Sequence, residues 1–324
     1  MVRCRWSSFV ALSLLAFCPL RSAAAADNYP NRPVRVIVPF AAGGTFDLVA
    51  RVVSQRLGEQ WSQQVVIDNR PGGGTIIATE VTAKATPNGY TIYLSPNALA
   101  ANPALHKRLP YDAARDLAPV VLIAAQPMAL GTNPGFKATT VRELLDMAKA
   151  RPGTLSYGTA GIGSGGHLAG EIFKAMAGVD FTHVSYKGGN VAMMDVVSNQ
   201  IPLVMTGLPN LLPLHRAGRI RILGITSAKR SAVAEQIPSL AETVPGYDFK
   251  NWFGFVVPSG TPKAVIRKIN ADVNRALETG DSRQKLTSQG FDVFGGTPEE
   301  FAAQIRADTK TFAEVLLKAG ITAQ

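Results

Sequence analysis

Cysteine is nearly absent from this chain of 324 residues, and both copies, Cys4 and Cys18, fall within its first 18 positions. Past them there is no disulfide, no thiolate metal site and no cysteine nucleophile. Histidine is almost as scarce. His106, His167, His183 and His215 show no HExxH spacing, and none has a second histidine four positions on, so a zinc site is not expected. No Lys/Arg run is interleaved with aromatics, which argues against a nucleic-acid partner despite a formal charge of +10. No Gly-Lys-Ser/Thr follows Gly72-Gly73-Gly74-Thr75, so a P-loop is excluded and this stretch reads as a turn into a helix.

The first residues carry a signal of their own. Arg3 and Arg5 precede an apolar stretch, Phe9 to Leu20, and Ala23 to Ala26 are small residues of the cleavage type. This is the build of a secretory signal peptide over 1–26, with the mature chain beginning near Asp27. Phe17 before Cys18 is too bulky for a lipobox, so no lipid anchor is expected. Arg3, Arg5 and Arg21 supply three units of the net +10, leaving +7 on the mature chain, which reads as a solvated basic surface or, more sharply, as mild steering of anionic solutes. Without disulfides an exported chain relies on its core, and some 300 residues most naturally divide into two domains.

Two segments share one design. Val34 to Phe40 reads as a strand, Ala41-Ala42-Gly43-Gly44-Thr45 as a turn, and Phe46 to Leu57 as a helix. Leu155 to Gly158, Thr159 to Gly166 and His167 to Met176 repeat the order. Each turn exposes unpaired backbone N–H groups at the positive end of a helix, which binds carboxylate or phosphate without a cationic side chain. The glycines allow close approach to a ligand, and Gly44 and Gly163 are candidates for φ > 0.

Buried-strand patterns alternate with 3.6-residue patterns along the whole chain. Strands are predicted at 34–38, 64–68, 91–95, 119–125, 155–158, 182–185, 202–206, 220–225, 251–257 and 291–294. Helices are predicted at 46–59, 74–84, 140–150, 166–177, 189–199, 209–216, 262–278, 282–289 and 298–318. This alternation implies an α/β fold with a mainly parallel sheet in each lobe. Lobe crossings near Val121–Met128 and Asn251–Pro258 would make the first lobe discontinuous: 27–124, then 125–253 as the second lobe, then 254–324 returning to the first.

Three constellations invite chemistry. Gly161-Ile162-Gly163-Ser164-Gly165-Gly166 fits the dinucleotide fingerprint, but the acid that should end the next strand is missing, since Asp180 precedes strand 182–185. A loop wrapping a smaller anion fits better, and no cofactor is implied. Ser164 and His167 suggest a nucleophile and base, although the serine lies in no Gly-x-Ser-x-Gly elbow. His167 reads equally as a ligand donor or a helix cap. Asp47, in the first turn after Gly43-Gly44-Thr45, either braces the loop N–H groups or receives an ammonium from a zwitterion.

Short motifs then follow in a distinctive order: Tyr29-Pro30-x-Arg32-Pro33, Val38-Pro39-Phe40, Gly43-Gly44-Thr45-x-Asp47, Asn69-Arg70-Pro71-Gly72, Asn88-Gly89-Tyr90, Asn102-Pro103 and Leu109-Pro110-Tyr111-Asp112. Tyr157-Gly158-Thr159-Ala160-Gly161, His167-Leu168-Ala169-Gly170-Glu171, Val184-Ser185-Tyr186-Lys187-Gly188, Ala228-Lys229-Arg230-Ser231 and Gly260-Thr261-Pro262 complete the set. Over the whole mature chain it resembles the Bug/TctC family, the periplasmic substrate-binding proteins of tripartite tricarboxylate transport systems. The resemblance implies a type 2 periplasmic-binding-protein-like fold, two α/β lobes joined by two crossover strands around a central ligand cleft. It implies no catalysis and a small organic carboxylate or amino acid gripped between two loops.

Carried over by position, the ligand-binding residues would be Phe40, Ala42, Gly43, Gly44, Thr45 and Asp47 on one loop. On the other they would be Thr159, Ala160, Gly163, Ser164 and His167, with Ser95, Tyr186 and Thr206 as lesser positions. Thr206-Gly207, Gly165-Gly166 and His106 depart from the family's pattern, so ligand identity is not carried over. The implied partners are the membrane subunits of such a transporter, the implied state is a monomer, and the implied place is the periplasm. A periplasmic hydrolase using Ser164 and His167, and a subunit that presents its ligand to a sensor, are the alternatives.

Overall fold

The structure, a computed structural model, describes residues 28–318; the expected signal peptide 1–26 and the last six residues lie outside the described residues. The chain builds β1 (Val34–Val38), α1 (Thr45–Trp61), β2 (Val65–Asn69), α2 (Ile76–Ala83), β3 (Thr91–Ser95), α3 (Ala98–Leu105) and α4 (Ala113–Asp116). A long strand, β4 (Leu117–Thr132), then leads into α5 (Val141–Ala150), β5 (Ser156–Thr159), α6 (Gly165–Ala177), β6 (Thr182–Ser185), α7 (Gly189–Val197), β7 (Leu203–Gly207), α8 (Leu208–Arg216) and β8 (Arg221–Ile225). The return strand β9 (Lys250–Pro258) is followed by α9 (Lys263–Glu278), α10 (Ser282–Thr287), β10 (Asp292–Val293) and α11 (Pro298–Lys318).

Two α/β lobes result. In the first, β1 pairs in parallel with both β2 and β3; in the second, β5 pairs in parallel with both β6 and β7. The expectation of mainly parallel sheets needs correction, because β9 and β4 insert an antiparallel seam. β3 meets β9, β9 meets β4, and β4 meets β7, β8 and β10, all antiparallel. The reason is topological: a chain that leaves one lobe and returns must run its two connecting strands in opposite directions. β4 pairs with β9 over Leu117–Pro127 and with β7 and β8 over Met128–Thr132, so it belongs to both sheets. It therefore extends well beyond the predicted 119–125. On the return path the Phe249 N–H still bonds to the Thr226 carbonyl of the second lobe at 2.8 Å, immediately before β9 begins.

The first core lies where Val34, Val36 and Val38 of β1 meet the α1 stripe Val49, Val53 and Leu57, all fully buried. The second gathers Leu144 of α5, Leu168 and Phe173 of α6, and Tyr157 of β5. Two helices tie the lobes together. α3, absent from the predicted helices, carries Pro103 inside it and is buried on nearly every side, so it shows no amphipathic period. Its Ala100, Ala101 and Leu105 join the second core. α11 packs Phe301 against Trp252 near the first lobe, ring centroids 5.2 Å apart, while Phe312 and Leu316 enter the second core. The segment that the sequence assigns to the first lobe thus reaches both.

Candidate functional site

Between the lobes lies a cavity of about 150 Å³. The loop before α1 forms one wall. Gln126, Met128 and Asn251 on the connecting strands form the floor, and the starts of α6, α7 and α8 form the other wall. The N-caps of all four helices, Gly44, Ser164, Gly188 and Gly207, line it. Three of these caps are glycines with no side-chain cap bond, so the leading amides of these helices have no side-chain acceptor, although Val191 of α7 donates to the Gly188 carbonyl at 3.2 Å and Pro209 of α8 has no N–H to offer. Four positive helix ends thus face one space, and among the described residues no ionised side chain lines it. That arrangement suits a small anion held by backbone N–H groups and neutral hydroxyls and amides.

Local sequence explains the geometry. Gly43 takes φ +82° and Gly163 φ +76°, the left-handed region that a side chain resists. Gly44 does not: its φ is −86° with ψ 177°, ordinary extended backbone, which corrects the expectation for that position. At the other wall, a Cβ on Gly165 would lie 2.6 Å from Asn251 Oδ1, and one on Gly207 2.5 Å from Gln126 Nε2. Bare glycines let the floor amides lie directly against the helix starts.

Of the residues named from sequence, Phe40, Ala42, Gly44, Thr45, Ala160, Ser164 and Thr206 line this cavity. Gly43 and Gly163 stand behind it as turn formers. Asp47 is buried and braces the first loop: its Oδ2 accepts the Gly43 N–H at 3.1 Å and the Arg51 Nε–H at 2.7 Å. Burial works to raise its pKa, but the Arg51 guanidinium and the Gly43 N–H outweigh it and hold the carboxyl below its ordinary value.

His167 braces the second loop. Its Nδ1 accepts the Gly163 N–H at 3.2 Å, and its ring lies 4.4 Å from that of His183. His183 Nε2 in turn meets Thr159 Oγ1 at 2.7 Å, and Thr159 Oγ1 accepts the Gly161 N–H at 3.1 Å. Burial pushes both imidazoles down to about 4. Lys174 adds to this at His167, and His167 itself adds to it at His183. Ser95 lies buried at the end of β3, its hydroxyl turned to the Pro96 carbonyl. Tyr186 donates its hydroxyl to Asp195 at 2.7 Å and lines a second cavity outside the first.

The hydrolase alternative finds no machinery. Ser164 Oγ accepts the His167 backbone N–H at 3.3 Å as a helix cap, and His167 Nδ1 is engaged by Gly163. An imidazole whose pKa is near 4 is a weak base at neutral pH.

Sequence reasoning placed the turn at Thr206-Gly207 near the cleft but passed over Gly188, the N-cap of α7, Gly189 and Asn190 in its first turn, and Asn210 in the first turn of α8. Both have the strand–glycine–helix build already recognised twice, so the signal was present. Gln126 and Asn251 carried none, because only the crossing topology brings them together. The lobes touch directly here: Asn190 Nδ2 donates to the Gly43 carbonyl at 3.1 Å, and Gln126 Nε2 donates to Thr45 Oγ1 at 3.1 Å. Among the described residues no His/Cys/Asp/Glu cluster could hold a metal, and no helix is long and apolar enough to cross a membrane.

Known proteins resemble this chain over most of its length. The sequence profile of TctC, the tripartite tricarboxylate transporter family receptor, matches residues 49–321. A UPF0065 protein of a Pseudomonas species is 34% identical over 90% of this chain and 88% of its own. BugT of Bordetella pertussis is 32% identical over 94% and 95%. An adipate-bound protein from R. palustris superposes with a TM-score of 0.88 at 36% identity, covering 91% of this chain and all of its own. MatC from Rhodopseudomonas palustris, with malate bound, gives 0.83 at 28% over 89% and all of its own. The periplasmic binding protein BugD gives 0.87 at 30% over 91% and all of its own.

Proposed function

The chain belongs to the tripartite tricarboxylate transporter receptor family, whose members are solute-binding proteins and not enzymes, and from that premise we propose a specific role. It is a periplasmic protein that captures a small organic carboxylate between its lobes and hands it, as a monomer, to the membrane subunits of a tripartite transporter. The observation that carries this reading is the convergence of four helix N-termini on one uncharged cavity. A carboxylate there replaces its hydration with fixed N–H donors, and charge-assisted bonds of that kind are the stronger ones. Relatives with adipate and malate bound support the ligand class. The basic balance of the chain favours capture of anions.

Thermal-shift screening of the mature protein against organic acids tests the reading. A ligand that binds only the folded state adds RT ln(1 + [L]/Kd), about 2.7 kcal/mol at 100 Kd. At least one small carboxylate is expected to raise the melting temperature. Stabilisation by amines or neutral sugars alone, with no acid active, would overturn it. Intact mass of material from the periplasm checks the compartment: the expected species begins near Asp27 and carries no lipid.

A further inference from the structure

Buried polar atoms without partners gather in one part of this molecule. Among the described residues, seven buried side-chain nitrogen or oxygen atoms have no hydrogen-bond partner. Four of them lie where the lobes meet: Asn102 Oδ1, His106 Nε2, Gln126 Oε1 and Asn251 Oδ1. Gln126 and Asn251 press on the bare glycines Gly207 and Gly165 of the second lobe. Asn102 lies on α3 and His106 just after it, beside another direct contact between the lobes.

That contact is made by the first-lobe turn 72–75, whose four residues take φ of +118°, +57°, +59° and +76° in order. The turn sets Gly74 so close to the second lobe that a Cβ on it would lie 2.7 Å from the Ile162 carbonyl oxygen and 3.9 Å from His106 Nε2. Asn102 Nδ2 holds the turn by donating to the Gly74 carbonyl at 3.3 Å, whereas its Oδ1 faces Gly163 of the ligand loop, 3.0 Å from where a Cβ would stand. A polar atom buried in this way loses its water and gains no bond in exchange.

Resting on the reading that ligand binds between the lobes, we propose that these unpaired atoms are an opening device: closure strips their water, so the unliganded chain rests open and the ligand supplies the free energy that closes it. The cavity is walled by both lobes, so a ligand enters and leaves only when they part. Parting returns water to the four atoms, which makes release favourable once the anion no longer holds the helix starts together. His106 is the member whose removal costs least, because its imidazole makes no hydrogen bond to any other described residue. Replacing it by an apolar side chain should raise the closed-to-open ratio about 5-fold, the low end for one unsatisfied group, and tighten binding by the same factor.

No cysteine lies past Cys18, so Lys84→Cys and Met194→Cys place one exposed spin label on each lobe of the mature chain. Electron-spin distance measurements without ligand should find mainly a separation longer than in this structure. His106→Leu, and His106→Phe, which keeps a ring, should raise the share of the short distance about 5-fold. Gly74→Ala, whose Cβ meets the Ile162 oxygen only when the lobes are closed, should abolish it. Calorimetry with adipate and malate should follow, about 5-fold tighter in the His106 variants and about 10-fold weaker in Gly74→Ala. A merely structural role for His106 would weaken binding instead. A wild type already closed without ligand, or His106 variants with unchanged or longer distances, would overturn the device. Failure of both acids to bind any variant would count against the carboxylate reading alone, since the distances need no ligand.

Discussion

On the first lobe the cavity loop is braced by charge: the Asp47 carboxylate holds Gly43 and is itself held by Arg51 at 2.7 Å. On the second lobe the matching loop is braced by neutral groups, with Ser164 and His167 capping the start of α6 and His183 and Thr159 locking the turn. The lobes also contribute unequally to the site. The first offers one helix start and the second three. The second lobe therefore holds most of the anion's partners, and the first acts more as a cover, fastened through Asn190 and Thr45. One electrostatic task, presenting positive backbone to an anion, is met by an ionic brace on one side and a neutral network on the other. These should fail under different conditions.

The largest effect expected from that asymmetry is steric. A Cβ on Gly166 would lie 2.1 Å from the Met205 carbonyl oxygen, a backbone atom that cannot swing aside. Gly166→Ala should displace the start of α6, cost about 1–3 kcal/mol of stability and abolish detectable binding. On the cover, a Cβ on Gly44 meets nothing nearer than the Ala41 oxygen at 3.6 Å, and its φ is ordinary. Gly44→Ala replaces an N-cap glycine by a poorer cap and should cost no more than about 1 kcal/mol, and it should keep measurable affinity. Denaturant melts and calorimetry on the pair decide the matter; similar losses in both would end the asymmetry.

Next in size is Ser164→Ala. It removes a cap worth about 1 kcal/mol and a hydroxyl from the cavity wall. A lost bond to a charged ligand costs about 1.5–3 kcal/mol, so affinity should fall roughly 10- to 150-fold. Thr45→Val, on the other lobe, loses its bond to Gln126 and should cost less, in keeping with about 1 kcal/mol for a bond between neutral groups. A larger loss for Thr45→Val would move the principal grip to the first lobe.

How much of this was legible in the sequence follows from where the information resides. Sequence patterns located nearly every strand and helix, because a strand buried on both faces leaves a short apolar run bounded by turn residues and a one-sided helix leaves a 3.6-residue period. α3 escaped, since a helix buried between two lobes is apolar all round. The loops at Phe40–Asp47 and Thr159–His167 were readable as strand–glycine–helix units. The floor of the cavity was not: Gln126 and Asn251 lie far apart in the chain and meet only because β4 and β9 run side by side. The bracing roles of Asp47 and His167 needed coordinates, since a carboxylate or imidazole beside a glycine turn can face ligand or backbone.

Acid should separate the two braces. His167 and His183 stay neutral in the native protein down to about 4, but in the unfolded chain they protonate below 6.5. The unfolded state therefore binds more protons as pH falls through that window, and stability declines from pH 6.5 to about 4. A protonated His167 also cannot accept the Gly163 N–H, so the second loop should loosen with it. Asp47 behaves differently. Its folded pKa lies below the ordinary 3.8, so its contribution persists above that value and disappears only as pH falls further. Urea titrations at pH 7 and pH 4.5 should show a loss that His167→Gln reduces and that Asp47→Asn leaves in place. Identical pH profiles for wild type and His167→Gln would detach His167 from this effect.

The smallest expected effect carries the sharpest sign. Asp47→Asn keeps an oxygen that can accept the Gly43 N–H but deletes the charge that pairs with Arg51. Arg51 is largely exposed, so the lost ion pair is worth at most about 1 kcal/mol. Freed of its partner, the Arg51 guanidinium adds a weak positive field near the start of α1. A carboxylate ligand should then bind equally well or up to about threefold more tightly at low salt, with the gain vanishing as salt screens it. If Asp47 instead received a ligand ammonium, its loss would leave that cation unpaired in a cavity without any other ionised side chain, and affinity would drop at least about tenfold. Calorimetry with the same ligand at two salt concentrations reads the sign directly. A gain that salt erases keeps Asp47 as a brace behind the cover, whereas a large salt-resistant loss would make it a ligand contact and place an ionic grip on the lobe that otherwise has the fewest.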